Sequence, residues 1–328
     1  MNMSLPEQMS AIVPNGFGGP EMLFVHSVPM PRPSPGYVLI RVAAAGVNAP
    51  DLAQRRGHYP PPEGASPLLG LEVSGEIVMD AGDWQVGDRV VALCNGGGYA
   101  EYVAVPAGQV LPLPQGWSPT DAAALPECWF TVTQTLVMRA GLLAGMSVLI
   151  TGGAGGIGGA AIQISRLIGA DPIAVVSSAD KAGYALSLGA RAVIRRDSED
   201  VVARTLELSG NRGADRIVDL VGGEATGRHI DAAARFGHIV LVSTQAGRDG
   251  NLPLNKLMAR QLTLSGSTLR PQTAEVKAAI AAELRKRFWP ELPGLIRPRI
   301  QTFPLAKAAD AHRAMEQPGH YGKIVLTI

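Results

Sequence analysis

A two-domain α/β protein, with one domain rich in antiparallel β and the other built on a doubly wound parallel sheet, is the architecture the sequence predicts. Three observations carry it. The chain has 328 residues, and domains commonly hold roughly 100–200. Its first third is rich in proline and glycine and carries short apolar runs closed by turn residues. From about Leu149 onward, apolar strand-like runs alternate with helix-like segments, the texture of a parallel sheet with crossover helices.

In order along the chain, the β-rich part shows strand runs at Val38 to Val42, Leu71 to Met79 and Arg89 to Leu93. The Gly96-Gly97-Gly98 run reads as a hairpin turn, and Pro60-Pro61-Pro62 as a stiff loop rather than a polyproline ligand. The parallel part shows strands at Val148 to Ile150, Ile173 to Val176, Ala192 to Ile194, Arg216 to Leu220, His238 to Val242 and Leu262 to Ser265. Six such strands predict a full Rossmann unit. Gly156 to Ile168 and Asp180 to Leu188 repeat apolar residues at three- and four-residue spacing and are the clearest helices between them. Asp180 is read as the N-cap of the second. After Pro271 come helices at Thr273 to Phe288 and Leu305 to Met315 and a terminal strand, Lys323 to Ile328. These segments are expected to return to the first domain.

Composition narrows the function. The 29 Lys and Arg residues are scattered and offset by 28 Asp and Glu, which speaks against a nucleic-acid partner. No stretch approaches the ~18 apolar residues of a membrane span, and Met1 to Ser10 lacks the pattern of a signal peptide. The expected location is the cytoplasm, where Cys94 and Cys128 are expected to stay free thiols.

The segment Gly152-Gly153-Ala154-Gly155-Gly156-Ile157-Gly158 follows the strand Val148 to Ile150 and opens a helix. In that context Gly153, Gly155, Gly156, Ile157 and Gly158 form a dinucleotide turn: glycine lets backbone N–H groups approach a pyrophosphate, whose charge the helix N-terminus favours. An NAD site places an acidic residue at the end of the second strand, where this chain reads Val176-Ser177-Ser178. No carboxylate there repels a 2′-phosphate. Ser178 can donate to one, and Lys181 and Arg196 can supply positive charge. NADPH is the expected cofactor.

No paired Cys or His spacing suits zinc, and the six histidines stand alone in the sequence. Neither a nucleophile elbow nor a phosphate-binding Walker loop is present. Hydride transfer without a metal is the chemistry left.

Several stretches converge on one resemblance: Ala45 to Leu52, Gly57 to Pro62, Leu69 to Gly75, Val86 to Val90, Gly97 to Tyr102, Leu125-Pro126-Glu127, Gly266 to Pro271 and Gly322 to Leu326. Together they resemble the zinc-independent, zeta-crystallin-like quinone oxidoreductases of the medium-chain dehydrogenase/reductase superfamily, in the tumour-suppressor-inducible branch. The resemblance implies a GroES-like catalytic domain over 1–125 and 271–328, a Rossmann NADPH domain over 126–270, and a homodimer paired along the edge strand Leu262 to Ser265. It also implies that Asn48 and Leu71 stand where zinc-dependent relatives carry Cys and His.

Carried over by position, Asn48 and Tyr59 are the catalytic residues, facing the nicotinamide and the substrate. Thr131 lies on the nicotinamide side, and Ser178 and Lys181 hold the 2′-phosphate. Arg196 replaces a Tyr that is usual in the family. Thr268 and Arg270 belong to a segment placed over the cofactor, and His320 stands where relatives often have Asn. The implied reaction is metal-free hydride transfer from NADPH to a quinone. Its rivals are reduction of conjugated double bonds in enals, enones or enoyl thioesters, and a non-enzymatic, crystallin-like NADPH-binding role.

Overall fold

A computed structural model describes residues 5–328. Residues 1–4, part of the Met1 to Ser10 stretch read above, lie outside the described residues. The chain divides into two compact units: one comprises the chain through Phe130 with Arg270–Pro293 and Arg297–Ile328, the other Thr131–Leu269 with Gly294–Ile296.

The first unit carries a seven-stranded sheet in the order Ile300–Pro304, Lys323–Thr327, Tyr37–Val47, Glu72–Met79, Arg89–Leu93, Val110–Pro112, with Tyr102–Pro106 also paired to Tyr37–Val47. Every pair is antiparallel except Ile300–Pro304 with Lys323–Thr327. Its core gathers Ile40, Val73, Ile77, Val90, Val105 and Ile324 around the sheet. Gln8–Pro14 and Leu23–Pro29 form a separate antiparallel pair.

The strand expected at Val38 to Val42 runs on to Val47. Ala43-Ala44-Ala45-Gly46 has weak strand preference, but Lys323–Thr327 on one side and Glu72–Met79 on the other hold it extended. Tertiary pairing overrides local propensity there.

Gly96 to Gly98 do not make the expected hairpin, because the flanking strands Arg89–Leu93 and Tyr102–Pro106 do not pair with each other. The loop instead packs on residues 66–70: Gly97 N–H donates to Leu68 O at 3.0 Å and Gly98 N–H to Gly70 O at 3.1 Å. Gly96 has φ +141°, and a Cβ on it would come within 2.5 Å of Ser66 O. Close backbone approach, not a turn between paired strands, requires glycine here.

The second unit is a six-stranded sheet in the order Ala192–Arg195, Asp171–Val176, Ser147–Thr151, Ala214–Asp219, Ala233–Leu241, Thr263–Gly266, parallel throughout. The order reverses between Ser147–Thr151 and Ala214–Asp219, the switch point at which such sheets bind ligands. All six expected strands are present, and the helix Gly156–Ile168 has its expected bounds. The next helix, Ala179–Ser187, is capped by Ser178, whose Oγ accepts from Lys181 N–H. Asp180 is an exposed first-turn residue, so its reading as the cap is corrected: the chain turns helical two residues earlier.

Cys94 and Cys128 are free and buried, and burial raises both thiols well above their ordinary range. Among the described residues no helix is long and apolar enough to cross a membrane.

Candidate active site

In the Rossmann-like unit the strand Ser147–Thr151 delivers the chain into the glycine turn. Gly152 takes φ +64°, a conformation that strains any other residue, and Gly155 N–H donates back to Gly152 O at 3.0 Å. A Cβ on Gly153 would sit 2.7 Å from the Ala174 side chain, and one on Gly158 would sit 2.3 Å from Gly152 O. Those two glycines are required by packing of turn, helix and neighbouring strand.

Gly155 is different. A Cβ on it would meet nothing nearer than Gly152 O at 3.5 Å, an ordinary contact. Packing therefore does not explain the glycine, whereas backbone approach of a phosphate does. Gly155 is also the N-cap of Gly156–Ile168 and offers no side-chain cap, which leaves the first helical N–H groups for an anion. The residues fit a dinucleotide.

At the end of the strand Asp171–Val176, Lys181 Nζ donates to Ser177 Oγ at 3.2 Å, and Arg196 N–H donates to Val176 O at 3.0 Å. Ser178, Lys181 and Arg196 thus share one strand end, with Arg196 exposed and no carboxylate in the Val176-Ser177-Ser178 segment. Ser178 Oγ is committed as acceptor to its helix cap and keeps its own proton to donate.

The sequence reading missed Asp219, at the end of the strand Ala214–Asp219. It is fully buried and accepts from Val221 N–H at 2.9 Å, Gly222 N–H at 3.0 Å and Thr226 Oγ at 2.7 Å, with His229 Nδ1 at 3.0 Å. Burial pushes its pKa up, but His229 and these donors prevail and hold it at about 2. Asp219 fixes the loop that leaves the switch point.

In the same unit Thr131 is buried, and its carbonyl accepts from Thr135 Oγ at 2.8 Å. Thr268 is exposed, and its carbonyl accepts from Gln134 Nε2 at 3.5 Å.

In the GroES-like unit the structure gathers a buried charged cluster. Asn48 precedes the helix Ala49–Arg55, where Asp51 Oδ2 accepts its backbone N–H at 2.9 Å and Asp51 Oδ1 accepts that of Gly70 at 2.9 Å. The Asn48 amide is engaged at both ends: Nδ2 donates to Glu72 Oε1 at 2.8 Å, and Oδ1 accepts from Lys323 Nζ at 2.6 Å. Lys323 Nζ also donates to Glu72 Oε1 at 2.6 Å, while Glu72 Oε2 accepts from Glu127 N–H at 2.9 Å. Burial lowers the Lys323 pKa, but the opposing acidic groups outweigh it and raise it above the ordinary lysine range.

Tyr59 stands beside a second knot. The Arg270 guanidinium lies 5.5 Å from the centre of the Tyr59 ring and donates to Asn95 O at 3.1 and 2.8 Å. Lys277 Nζ ties the same group together through Asn95 Oδ1 at 2.5 Å and Arg270 O at 2.7 Å. Burial lowers the Lys277 pKa to about 8. Burial, then the charge of Glu127, raise the Tyr59 phenol above its ordinary value, so it is a neutral donor at pH 7. Arg270 therefore braces Tyr59 in this unit.

His320 lies half-exposed in the turn before Lys323–Thr327, with its N–H donating to Gln317 O at 3.3 Å. Glu72, Lys323, Asn95, Lys277 and Glu127 were not foreseen as site residues. Their spacing in sequence carries no motif, and only folding brings them together.

Residues 34–115 match the family described as Alcohol dehydrogenase GroES-like domain, and residues 156–284 the family described as Zinc-binding dehydrogenase. A quinone oxidoreductase of Sus scrofa is 31% identical over 98% of this chain and 98% of its own length. The crystal structure of Escherichia coli quinone oxidoreductase complexed with NADPH superposes with a TM-score of 0.84 at 28% identity, over 97% of this chain and 100% of that one. A structure described as NAD-dependent alcohol dehydrogenase superposes with a TM-score of 0.83 at 30% identity, over 98% and 99%.

Proposed function

The chain belongs to the quinone oxidoreductases of the medium-chain dehydrogenase/reductase superfamily, and from that premise we propose that it is an NADPH-dependent, metal-free reductase of quinones. The single observation that carries the cofactor choice is the strand end at Ser177 and Ser178, where hydroxyls and the Lys181 ammonium stand in place of an acidic residue. When bound, NADPH supplies the hydride.

The chain's own residues do the rest. Gly153, Gly155, Gly156, Ile157 and Gly158 seat the pyrophosphate. Ser178, Lys181 and Arg196 bind the 2′-phosphate, and Thr131, Thr268, Arg270 and His320 complete the cofactor contacts in this proposal. Asn48 and Tyr59 face the nicotinamide and the acceptor, with the Tyr59 phenol donating to the oxygen that gains charge. The metal-free reading is supported by the donor set: the Asn48 amide is spent on Glu72 and Lys323, Leu71 offers no donor atom, and a lysine ammonium already neutralises Glu72. Assembly as a homodimer in the cytoplasm belongs to the same reading. The strand Thr263–Gly266 ends its sheet, and Leu254 and Met258 on the preceding helix are exposed.

The test is NADPH oxidation by the purified protein against ortho-quinones, para-quinones, enones and enoyl thioesters. Turnover confined to quinones supports the proposal. Turnover confined to enones or thioesters replaces it with double-bond reduction, and silence with NADPH bound replaces it with a binding role. Tyr59→Phe is expected to slow quinone turnover modestly, since it removes one hydrogen bond to the oxygen that gains charge and not the source of the proton.

A further inference from the structure

We propose that the Glu127 carboxyl is the proton donor that completes reduction of the acceptor. The inference rests on the reductase reading above and adds a residue to it.

Three carboxyl groups crowd the interior of the GroES-like unit, and two are spent. Both Glu72 oxygens are bound, Oε1 by Lys323 and Asn48 and Oε2 by the Glu127 N–H. Both Asp51 oxygens accept backbone N–H groups. Glu127 opens the helix Pro126–Val132, four residues before Thr131, and is only 9% exposed. Its carboxyl makes no ion pair and no hydrogen bond among the described residues. A carboxylate largely withdrawn from water and without a protein partner is costly, and a proton removes that cost.

The groups that face it act in both directions. Burial is the largest influence. Glu72 on the strand Glu72–Met79 and Asp51 on the helix Ala49–Arg55 push its pKa up, and Lys323 and Lys277 pull it down. The outcome is about 8. Its charge is also felt by the Tyr59 phenol and by the buried thiols Cys94 and Cys128. Glu127 is therefore an acid at neutral pH, joined through its own N–H and Glu72 to the Asn48 amide, and its weak acidity suits proton delivery near pH 7.

The step balances. A quinone that accepts a hydride gains two electrons and one hydrogen and becomes a hydroquinone monoanion. The Glu127 Oε–H bond then breaks, an O–H bond forms on that anion, and the carboxylate left behind is eased by the positive charges of Lys323 and Lys277 until solvent protonates it.

The first readout does not depend on turnover. In protein carrying glutamate labelled with ¹³C at the side-chain carboxyl, one carbon should titrate near pH 8 and be missing from Glu127→Gln. Titration of every glutamate below about pH 6 overturns the proposal. The second readout is the pH profile of kcat. Glu127→Gln should lower kcat at least ~10-fold at pH 7, with NADPH affinity by fluorescence unchanged, and abolish the fall above pH 8 that Glu127→Asp retains at a shifted position. An alkaline limb that persists in Glu127→Gln overturns the assignment. Failure of the wild-type protein to oxidise NADPH with any acceptor overturns the reductase reading and the proton step with it. The carbon titration tells that result apart from the absence of an acid at Glu127.

Discussion

Lys323 Nζ lies 2.6 Å from Glu72 Oε1, and both groups are sealed inside the sheet of the GroES-like unit. The pair joins the last strand of the chain to Glu72–Met79 and orients the Asn48 amide between them. Buried pairs are expensive to break from one side, because the surviving charge has no water to turn to. Lys323→Met should therefore destabilise the protein by ~3–5 kcal/mol in urea unfolding. The double variant Lys323→Met with Glu72→Gln should lose less than the sum of the single changes, since neither charge is then stranded.

Gly46 faces the same carboxylate. A Cβ there would sit 2.0 Å from Glu72 Oε1 and 2.5 Å from its Cδ, so Gly46→Ala must displace Glu72 from Lys323 and Asn48. A loss of ~1–3 kcal/mol is expected from the overpacking. The thermal midpoint, compared with that of Gly294→Ala, where a Cβ meets open space, checks it.

The glycine turn separates folding from binding. Gly158→Ala drives a methyl to 2.3 Å from Gly152 O and should impair both. Gly155→Ala meets nothing closer than 3.5 Å within the protein and should leave the unfolding midpoint within ~0.5 kcal/mol of wild type. Yet it should weaken NADPH at least ~10-fold, because the methyl occupies space proposed for phosphate. Calorimetric unfolding together with a fluorescence titration decides the matter.

Lys181→Ala removes the ammonium that now rests on Ser177 Oγ. If it holds the 2′-phosphate, NADPH affinity should fall about 10-fold or more, the scale of one hydrogen bond to a charged group at ~1.5–3 kcal/mol. NADH affinity should stay the same. Equal losses for both cofactors would remove Lys181 from the 2′-phosphate site.

Asp219 gives an acid dependence of known sign. Its folded pKa of about 2 lies below the ordinary value of 3.8, so the ionised form favours the folded state. That contribution, ~2 kcal/mol by linkage, is complete above about pH 4 and is lost as pH falls toward 2. Asp219→Asn should be destabilised at pH 7 and should show a shallower loss of stability on acidification, measured by denaturant unfolding at several pH values.

Much of the architecture could be read directly from residues, for local reasons. The parallel strands are continuous apolar runs, and the helix Gly156–Ile168 starts at glycine and ends at Gly169, which takes φ +84°. Signals of this kind sit within a few residues of their effect. Gly96 to Gly98 misled because three glycines describe close approach as well as a turn, and only the distant Ser66 to Gly70 segment decides between them. The buried cluster was illegible for the same reason: Asn48, Glu72, Glu127 and Lys323 are separated by up to 275 residues, and their relation is created by strand pairing. Arg270 shows the intermediate case. Its segment was singled out, but its grip on Asn95 and Tyr59 needed the fold.

The central claim is hydride transfer from NADPH to a quinone without a metal. Its most direct test is an anaerobic rapid-mixing experiment in which chelator-dialysed protein, loaded with NADPH, meets an ortho-quinone. One NADPH consumed per quinone, and more slowly when the transferred hydrogen is deuterium, is the predicted result. Consumption no faster than in buffer, or activity that returns only when zinc is added, would contradict it.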